Sequence, residues 1–253
     1  MSNIPEIPKN IFQTHKTRKY IQNNERLLKA TNSWKKNKNF KYHFYDNNEC
    51  EAFIKEHFPE VYEAYNKCPL NVMKADLWRY CIIYKYGGIY ADADTIMHEK
   101  PMLFIKPKQL VVVPENDTHF CQWVFAAPPN SPILKSVIDL SVERLLSMNE
   151  IKGEHVIHYS TGPGVFTDGI VLYLLDNFKD VPTSKEFINC YVNKSYARQP
   201  GKQMSGNIYK YENNKIPDMF VFKHDKFHKH IVQHLFSGQW KDGWCKERKV
   251  KLC

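Results

Sequence analysis

Between Asn71 and Thr95 the chain reads N-V-M-K-A-D-L-W-R-Y-C-I-I-Y-K-Y-G-G-I-Y-A-D-A-D-T, and no other stretch restricts the fold as much. Its first part predicts a helix over Asn71 to Tyr86, opened by Asn71 as a side-chain cap and closed where Gly87 and Gly88 can take left-handed backbone. From Leu77 to Tyr86 almost every side is apolar, which marks a buried helix. Asp76 and Arg79 interrupt it, three apart and so on one face. They read either as an ion pair that orients the helix or as a polar edge turned to a ligand. A buried pair adds little stability, so its presence asks for a reason. After the glycines, Ile89 to Ala91 suit a short buried strand, and Asp92 and Asp94 follow it. A strand's period of two would put both carboxylates on one face. Two such groups are costly to bury alone, and hard oxygen donors suit manganese or magnesium. The other reading is a solvated turn carrying two surface acids.

The flanks supply the rest of an α/β pattern. Pro5 and Pro8 precede a first strand at Asn10 to Gln13, and Lys41 to Tyr45 alternates as a second. Asn23 to Trp34 predicts an amphipathic helix; Asp46 with Glu49 offers a capping box, and Pro59 opens a further helix. Pro101 to Pro107 reads as a loop, Leu110 to Val113 and Trp123 to Ala127 as strands, and Pro132 to about Met148 as a helix. Ser160 to Thr167 reads S-T-G-P-G-V-F-T before a helix running to Leu175; its glycines allow a close backbone approach at a helix N-terminus. Between Val181 and Met219 the pattern is weak, with Tyr191, Tyr196, Tyr209 and Tyr211 suggesting strands and loops. In an α/β sheet, ligands bind beyond the carboxyl ends of strands, so Gln13 and Thr14 are candidates for a nucleotide base or ribose.

A-D-L-W-R-Y (Ala75 to Tyr80) followed by Y-G-G-I-Y-A-D-A-D-T resembles the donor-sugar signature of the DXD glycosyltransferases. The nearest group is the family of the yeast initiating α-1,6-mannosyltransferase (family 32, the capsular polysaccharide synthesis group). The glucosylating clostridial toxins are more distant. The opening at Ile7 to Thr14, the T-G-P-G run and the segment Q-H-L-F-S-G-Q-W (Gln233 to Trp240) are similar to further family motifs. The chain departs from them at His15 (usually Trp), Gln122 (usually Asn), Leu235 (usually a second His) and Gln239 (usually Ser).

The resemblance implies a GT-A nucleotide-diphospho-sugar transferase fold, a mixed central sheet flanked by helices in one domain over 1–253. The donor half would be about 1–130 and the acceptor-side half about 131–253. It implies a retaining hexosyl transfer with Mn2+ or Mg2+, the ion held by Asp92, Asp94 and His234. Asp92, Asp94, Asp76 and Arg79 would carry the chemistry. Gln13, Thr14, Asp76, Arg79, Tyr80, Tyr90, Asp92, Gln122, Gly162 and Trp240 would bind the donor, with Thr161 and Asp168 as further sugar contacts. The histidines at 224, 228 and 230 read as a solvated face.

The expected partners are a nucleotide-sugar, GDP- or UDP-linked, and a glycan or a protein- or lipid-linked hydroxyl acceptor. The net charge of +9 suits such anions and also peripheral contact with an anionic membrane. No nucleic acid is expected. The competing reading is a non-enzymatic basic module that binds nucleic acid or anionic membrane through Lys241 to Lys251. A haloacid dehalogenase-type phosphatase also carries D-x-D, but it wants Thr or Val where this chain has Ile96. Seven cysteines, an odd number with no C-x-x-C pair, predict mostly free thiols in a reducing compartment. No apolar run approaches a membrane span and Met1 to Lys9 has no signal-peptide core, so a cytoplasmic location is expected, bacterial or viral more readily than Golgi.

Overall fold

The computed structural model describes residues 6–152, 155–193, 207–213 and 216–236. Strand β1 (Asn10–Thr14) lies parallel to β2 (Lys41–Tyr45) on one side and to β3 (Gly88–Ala91) on the other. Beyond β3 the direction reverses: β5 (Leu110–Val112) and β6 (Val124–Ala127) pair antiparallel, and β6 pairs antiparallel with β3. Strand β7 (Met219–Val221) runs parallel to β5 and completes a mixed sheet of order β2-β1-β3-β6-β5-β7. A second, two-stranded ribbon joins β4 (Thr95–Met97) to β8 (Val232–His234).

Strand β3 is central and buried throughout, which is why it reads as an unbroken apolar run and not as an alternation. Its period of two still shows in the packing. Ile89 and Ala91 join the core on one face with Trp34 and Phe227, while Tyr90 joins the larger core on the other. The sheet is therefore covered by helices on both sides, as a mixed α/β sheet must be.

The helices follow local chemistry. The helix expected over Asn23 to Trp34 is α2 (Glu25–Lys35), opened by Asn24, which accepts the Leu27 amide at 3.0 Å, and a short helix not expected from the sequence, α1 (Arg18–Gln22), precedes it. Helix α3 (Asn47–His57) has the expected capping box, with Glu49 N donating to Asp46 at 3.0 Å and Asp46 N to Glu49 at 2.8 Å. Helix α4 (Pro59–Lys67) starts on its proline. Helix α5 (Asn71–Tyr86) has the expected span, but Asn71 lies inside it; Leu70 is the cap residue, with no side-chain bond. Its end is fixed by Gly87, at φ +63, where an added Cβ would sit 2.5 Å from Pro129 and 2.6 Å from Pro8.

Then come α6 (Pro132–Ser147), α7 (Val156–Ser160), α8 (Pro163–Asn177), α9 (Lys185–Val192) and α10 (His224–His230). Of the strands and loops expected between Val181 and Met219, the loops hold at 181–184 and 216–218, while helix α9 and a 3-10 segment at Ile208–Asn213 stand where strands were also expected; Tyr196 lies outside the described residues. Among the described residues Cys50, Cys68, Cys81 and Cys121 are free and buried, and no helix is long and apolar enough to cross a membrane.

Candidate functional site

The site begins where β3 stops. The two aspartates do not share a strand face as the period of two predicts, because the strand ends at Ala91. The Asp92 carbonyl accepts Thr95 N at 3.1 Å and Thr95 Oγ1 at 2.6 Å, closing a tight turn that brings the carboxylates together. The Asp92 amide is held by the Trp123 carbonyl at 2.8 Å. Thr95 then starts β4, and β4 recruits β8 from the far end of the described chain with Thr95 opposite His234. Leu235 N donates to the Asp94 carbonyl at 2.9 Å and Arg26 donates to the Leu235 carbonyl at 3.0 Å, so the returning segment is pinned from both sides. The result is one cluster: Asp92, Asp94 and His234 present ligand atoms that all lie within 4.8 Å of one another. His234 Nε2 is 3.2 Å from Asp94 Oδ1.

Behind this cluster lies a buried polar lattice. Arg79 bonds Asp76 at 2.8 Å, reaches Asp92 Oδ1 at 3.3 Å and donates to the Gln122 carbonyl at 3.2 Å. Its guanidinium lies 4.6 Å over the Tyr90 ring, and the Tyr90 hydroxyl bonds the same Asp92 oxygen. The Gln122 amide donates to Asp76 at 3.2 Å and Thr161 Oγ1 to its other oxygen at 3.1 Å. The Tyr80 hydroxyl lies within reach of Gln122 Oε1 and of the Thr161 carbonyl, at 2.7 Å from the latter.

Two carboxylates, Asp76 and Asp92, share the one guanidinium of Arg79, and Asp94 adds a third carboxylate beside Asp92. Burial dominates the titration of Asp76 and Asp92, and a neighbouring carboxylate adds to it in each case. Burial above all, eased by Arg79, pushes Asp76 up to about 7. Burial also raises Asp92, against the pull of Arg79 and with the help of Asp94. Burial works against a charged His234, yet Asp94 at hydrogen-bonding distance, with Asp92 and Glu115 near, lifts it above its ordinary value. A divalent cation would relieve this imbalance, and two carboxylates with an imidazole are a donor set that magnesium or manganese accepts.

Most of the other expected residues are committed to partners inside the fold. Gln13 is fully buried beneath the turn, donating to the Asp92 carbonyl at 3.0 Å and accepting from the Tyr42 hydroxyl at 2.8 Å. Thr14 Oγ1 bonds the Tyr45 carbonyl at 2.7 Å. The chain thus commits both side chains to internal partners. Gly162 caps α8, and Gly162 and Gly164 are small because α7 passes close by: an added Cβ would meet His158 Cα at 2.9 Å or His158 Nδ1 at 2.5 Å. The close approach read from the T-G-P-G run is therefore made by a helix. Asp168, read as a sugar contact, is instead buried against Arg144 at 2.8 Å. Trp240 lies outside the described residues. His228 is half-buried with Nε2 2.9 Å from the Pro114 carbonyl, so the solvated face holds only in part.

The sequence assigns no site role to Trp123 or Glu115, and gives Phe236 only a place in the Gln233 to Trp240 motif. Trp123 stacks on His234 at 4.7 Å and 17°. Glu115 lies on the loop after β5, and burial raises its carboxyl while His234 draws it down. Phe236 packs on His234 at 4.2 Å with left-handed backbone at φ +48. No motif marks Trp123 or Glu115, since their partners are distant in sequence.

The fold is that of the GT-A glycosyltransferases. It matches the PaToxG glycosyltransferase with a TM-score of 0.52, over 78% of this chain and 79% of that one, at 18% identity. Residues 24–112 match the glycosyltransferase sugar-binding region containing the DXD motif. The chain is 30% identical over 291 residues to the initiation-specific alpha-1,6-mannosyltransferase of Candida albicans, covering 93% of itself and 72% of that relative. Against the Schizosaccharomyces pombe enzyme of the same name it is 29% identical over 271 residues, covering 94% of itself and 64% of the relative. The chain belongs to this DXD glycosyltransferase family, and it spans roughly two thirds of the length of these relatives.

Proposed function

We propose that the protein is a metal-dependent, retaining hexosyltransferase that moves a sugar from a GDP- or UDP-linked donor to a hydroxyl of a glycan acceptor. The observation that carries the reading is the convergence of Asp92, Asp94 and His234 in front of the lattice around Arg79. Those three residues would hold Mn2+ or Mg2+. When bound, the ion neutralises charge on the departing diphosphate as a Lewis acid.

The chain's own groups do the rest. Arg79 and the Tyr90 hydroxyl both grip Asp92 Oδ1, which sets the carboxylate's rotation and leaves Oδ2 outside those contacts. Asp76, with its oxygens taken by Arg79, Gln122 and Thr161, holds Arg79 in place. Such a fixed arrangement needs no reorganisation as charge develops in the transition state. The reacting sugar passes through an oxocarbenium-like state. The acceptor hydroxyl attacks on the face the diphosphate leaves, the C1–oxygen bond to the diphosphate breaks, and the hydroxyl proton passes to the departing phosphate oxygen, so configuration is retained. In this reading Asp94 and His234 bind the ion directly, and Asp92 serves the ion and the donor together.

A thermal-shift panel of nucleotide-sugars, each with and without manganese, tests the proposal. A donor that binds the native state raises the melting point by mass action. A manganese-dependent rise with one donor is expected; no rise with any GDP- or UDP-sugar would contradict the reading.

A further inference from the structure

A histidine that ligates a metal ordinarily has its other ring nitrogen hydrogen-bonded to a carboxylate or carbonyl, which fixes the ring's tautomer and direction. Among the described residues His234 shows no such partner: Nε2 faces Asp94 at 3.2 Å, while Nδ1 is buried and bonds none of them. What those residues do offer the ring is aromatic packing. Trp123 lies against its face at 4.7 Å between centroids and 17° between planes, close to parallel stacking, and Phe236 packs on it at 4.2 Å in a tilted arrangement. Trp123 is itself immobilised, 4% exposed in the core under β6 and within 6.3 Å of Phe227. Its backbone carbonyl takes the Asp92 amide at 2.8 Å.

We infer that Trp123 is the positioning residue of the metal centre, holding His234 through its ring and Asp92 through its carbonyl. Trp123, the residue just before β6, thereby ties Asp92, which follows β3, to His234 on β8, a strand of the other sheet. Stacking restrains the tilt of the imidazole plane but supplies no proton acceptor at Nδ1. The choice of tautomer is then left to Asp94 and to whatever cation sits beside Nε2. The inference rests on the proposed metal site.

The test is direct Mn2+ binding, followed by electron paramagnetic resonance on the full chain without donor. Wild type, Trp123→Phe, Trp123→Leu, His234→Ala and the double variant Trp123→Leu/His234→Ala are compared. Trp123→Leu is expected to weaken Mn2+ binding about 10- to 100-fold, the usual loss when an orienting group is removed, and Trp123→Phe to recover most of it. In the His234→Ala background Trp123→Leu should add little, because the ring it positions is gone. Unchanged affinity in Trp123→Leu would overturn the inference, as would equal losses from Trp123→Leu with and without His234. If Trp123→Leu does not fold, Trp123→Met, which fills the site without a ring to stack, takes its place alone and with His234→Ala, and the same outcomes decide. Wild-type protein that binds no Mn2+, with or without GDP or UDP, would instead sink the metal site itself.

Discussion

Two buried arginine–aspartate pairs sit in this protein and teach opposite lessons. Arg79–Asp76 and Arg144–Asp168 are both at 2.8 Å and almost wholly enclosed. The first borders a second carboxylate: Arg79 also reaches Asp92, whose side chain is 24% exposed at the edge of the site. The second ties α6 to α8, and Arg144 Nη1 donates to the Tyr159 carbonyl at the end of α7 at 2.8 Å. One pair therefore places charge at a site and the other joins three helices. Geometry within each pair does not distinguish them; what lies on the far side of the arginine does.

This contrast can be broken in order of expected effect. Asp168→Asn should cost about 3–5 kcal/mol, the loss when one partner of a buried pair is removed, while transfer per folded molecule stays within about twofold. Chemical denaturation with activity normalised to folded protein checks it, and a selective loss of activity would return Asp168 to the site. Asp76→Asn should do the reverse. Its carboxylate is held near 7 by burial, so its charge is costly, and Arg79 keeps Asp92 as a partner. Transfer is expected to fall roughly 100-fold, about 2.7 kcal/mol, with little change in melting point. A large melting-point loss with normal turnover would make the two pairs alike.

Smaller effects sharpen the structural side. Gly164→Ala should destabilise by about 1–3 kcal/mol, because its Cβ would lie 2.5 Å from His158 Nδ1 and 2.6 Å from the His158 carbonyl. Donor affinity per folded molecule should be unchanged, since the crowding comes from α7. His158 itself is lowered to about 4 by burial first, then by His119, His155 and Arg144. A group lowered in the fold gives stability that is present above its unfolded value near 6.5 and is lost as pH falls toward 4. Roughly 1–2 kcal/mol should disappear between about pH 7 and pH 5. His158→Gln should flatten that slope in pH-dependent urea denaturation.

The sequence made local features legible and distant ones opaque. Helix α5, its glycine stop, β3 and the Asp46–Glu49 capping box follow from spacing within a few residues. Asp76 and Arg79 were visible as a pair because they lie three apart on a helix. Arg144 and Asp168 lie 24 apart, and nothing in the order of residues joins them, so Asp168 was read from a motif that in fact seats α8 against α7. The ribbon of β4 and β8 links residues 95–97 to 232–234, and strands of three residues carry too little periodicity to announce it. His234 was found by resemblance, whereas its support by Trp123 needed the fold.

The most direct test of the account is manganese-dependent release of nucleoside diphosphate from the donor that the thermal-shift panel selects, measured for wild type and Asp94→Asn. The account expects release by wild type that stops on chelation and returns with Mn2+. In Asp94→Asn it expects a loss of at least about 100-fold with circular dichroism unchanged. Release at the wild-type rate by folded Asp94→Asn, or wild-type release indifferent to chelation, would contradict it.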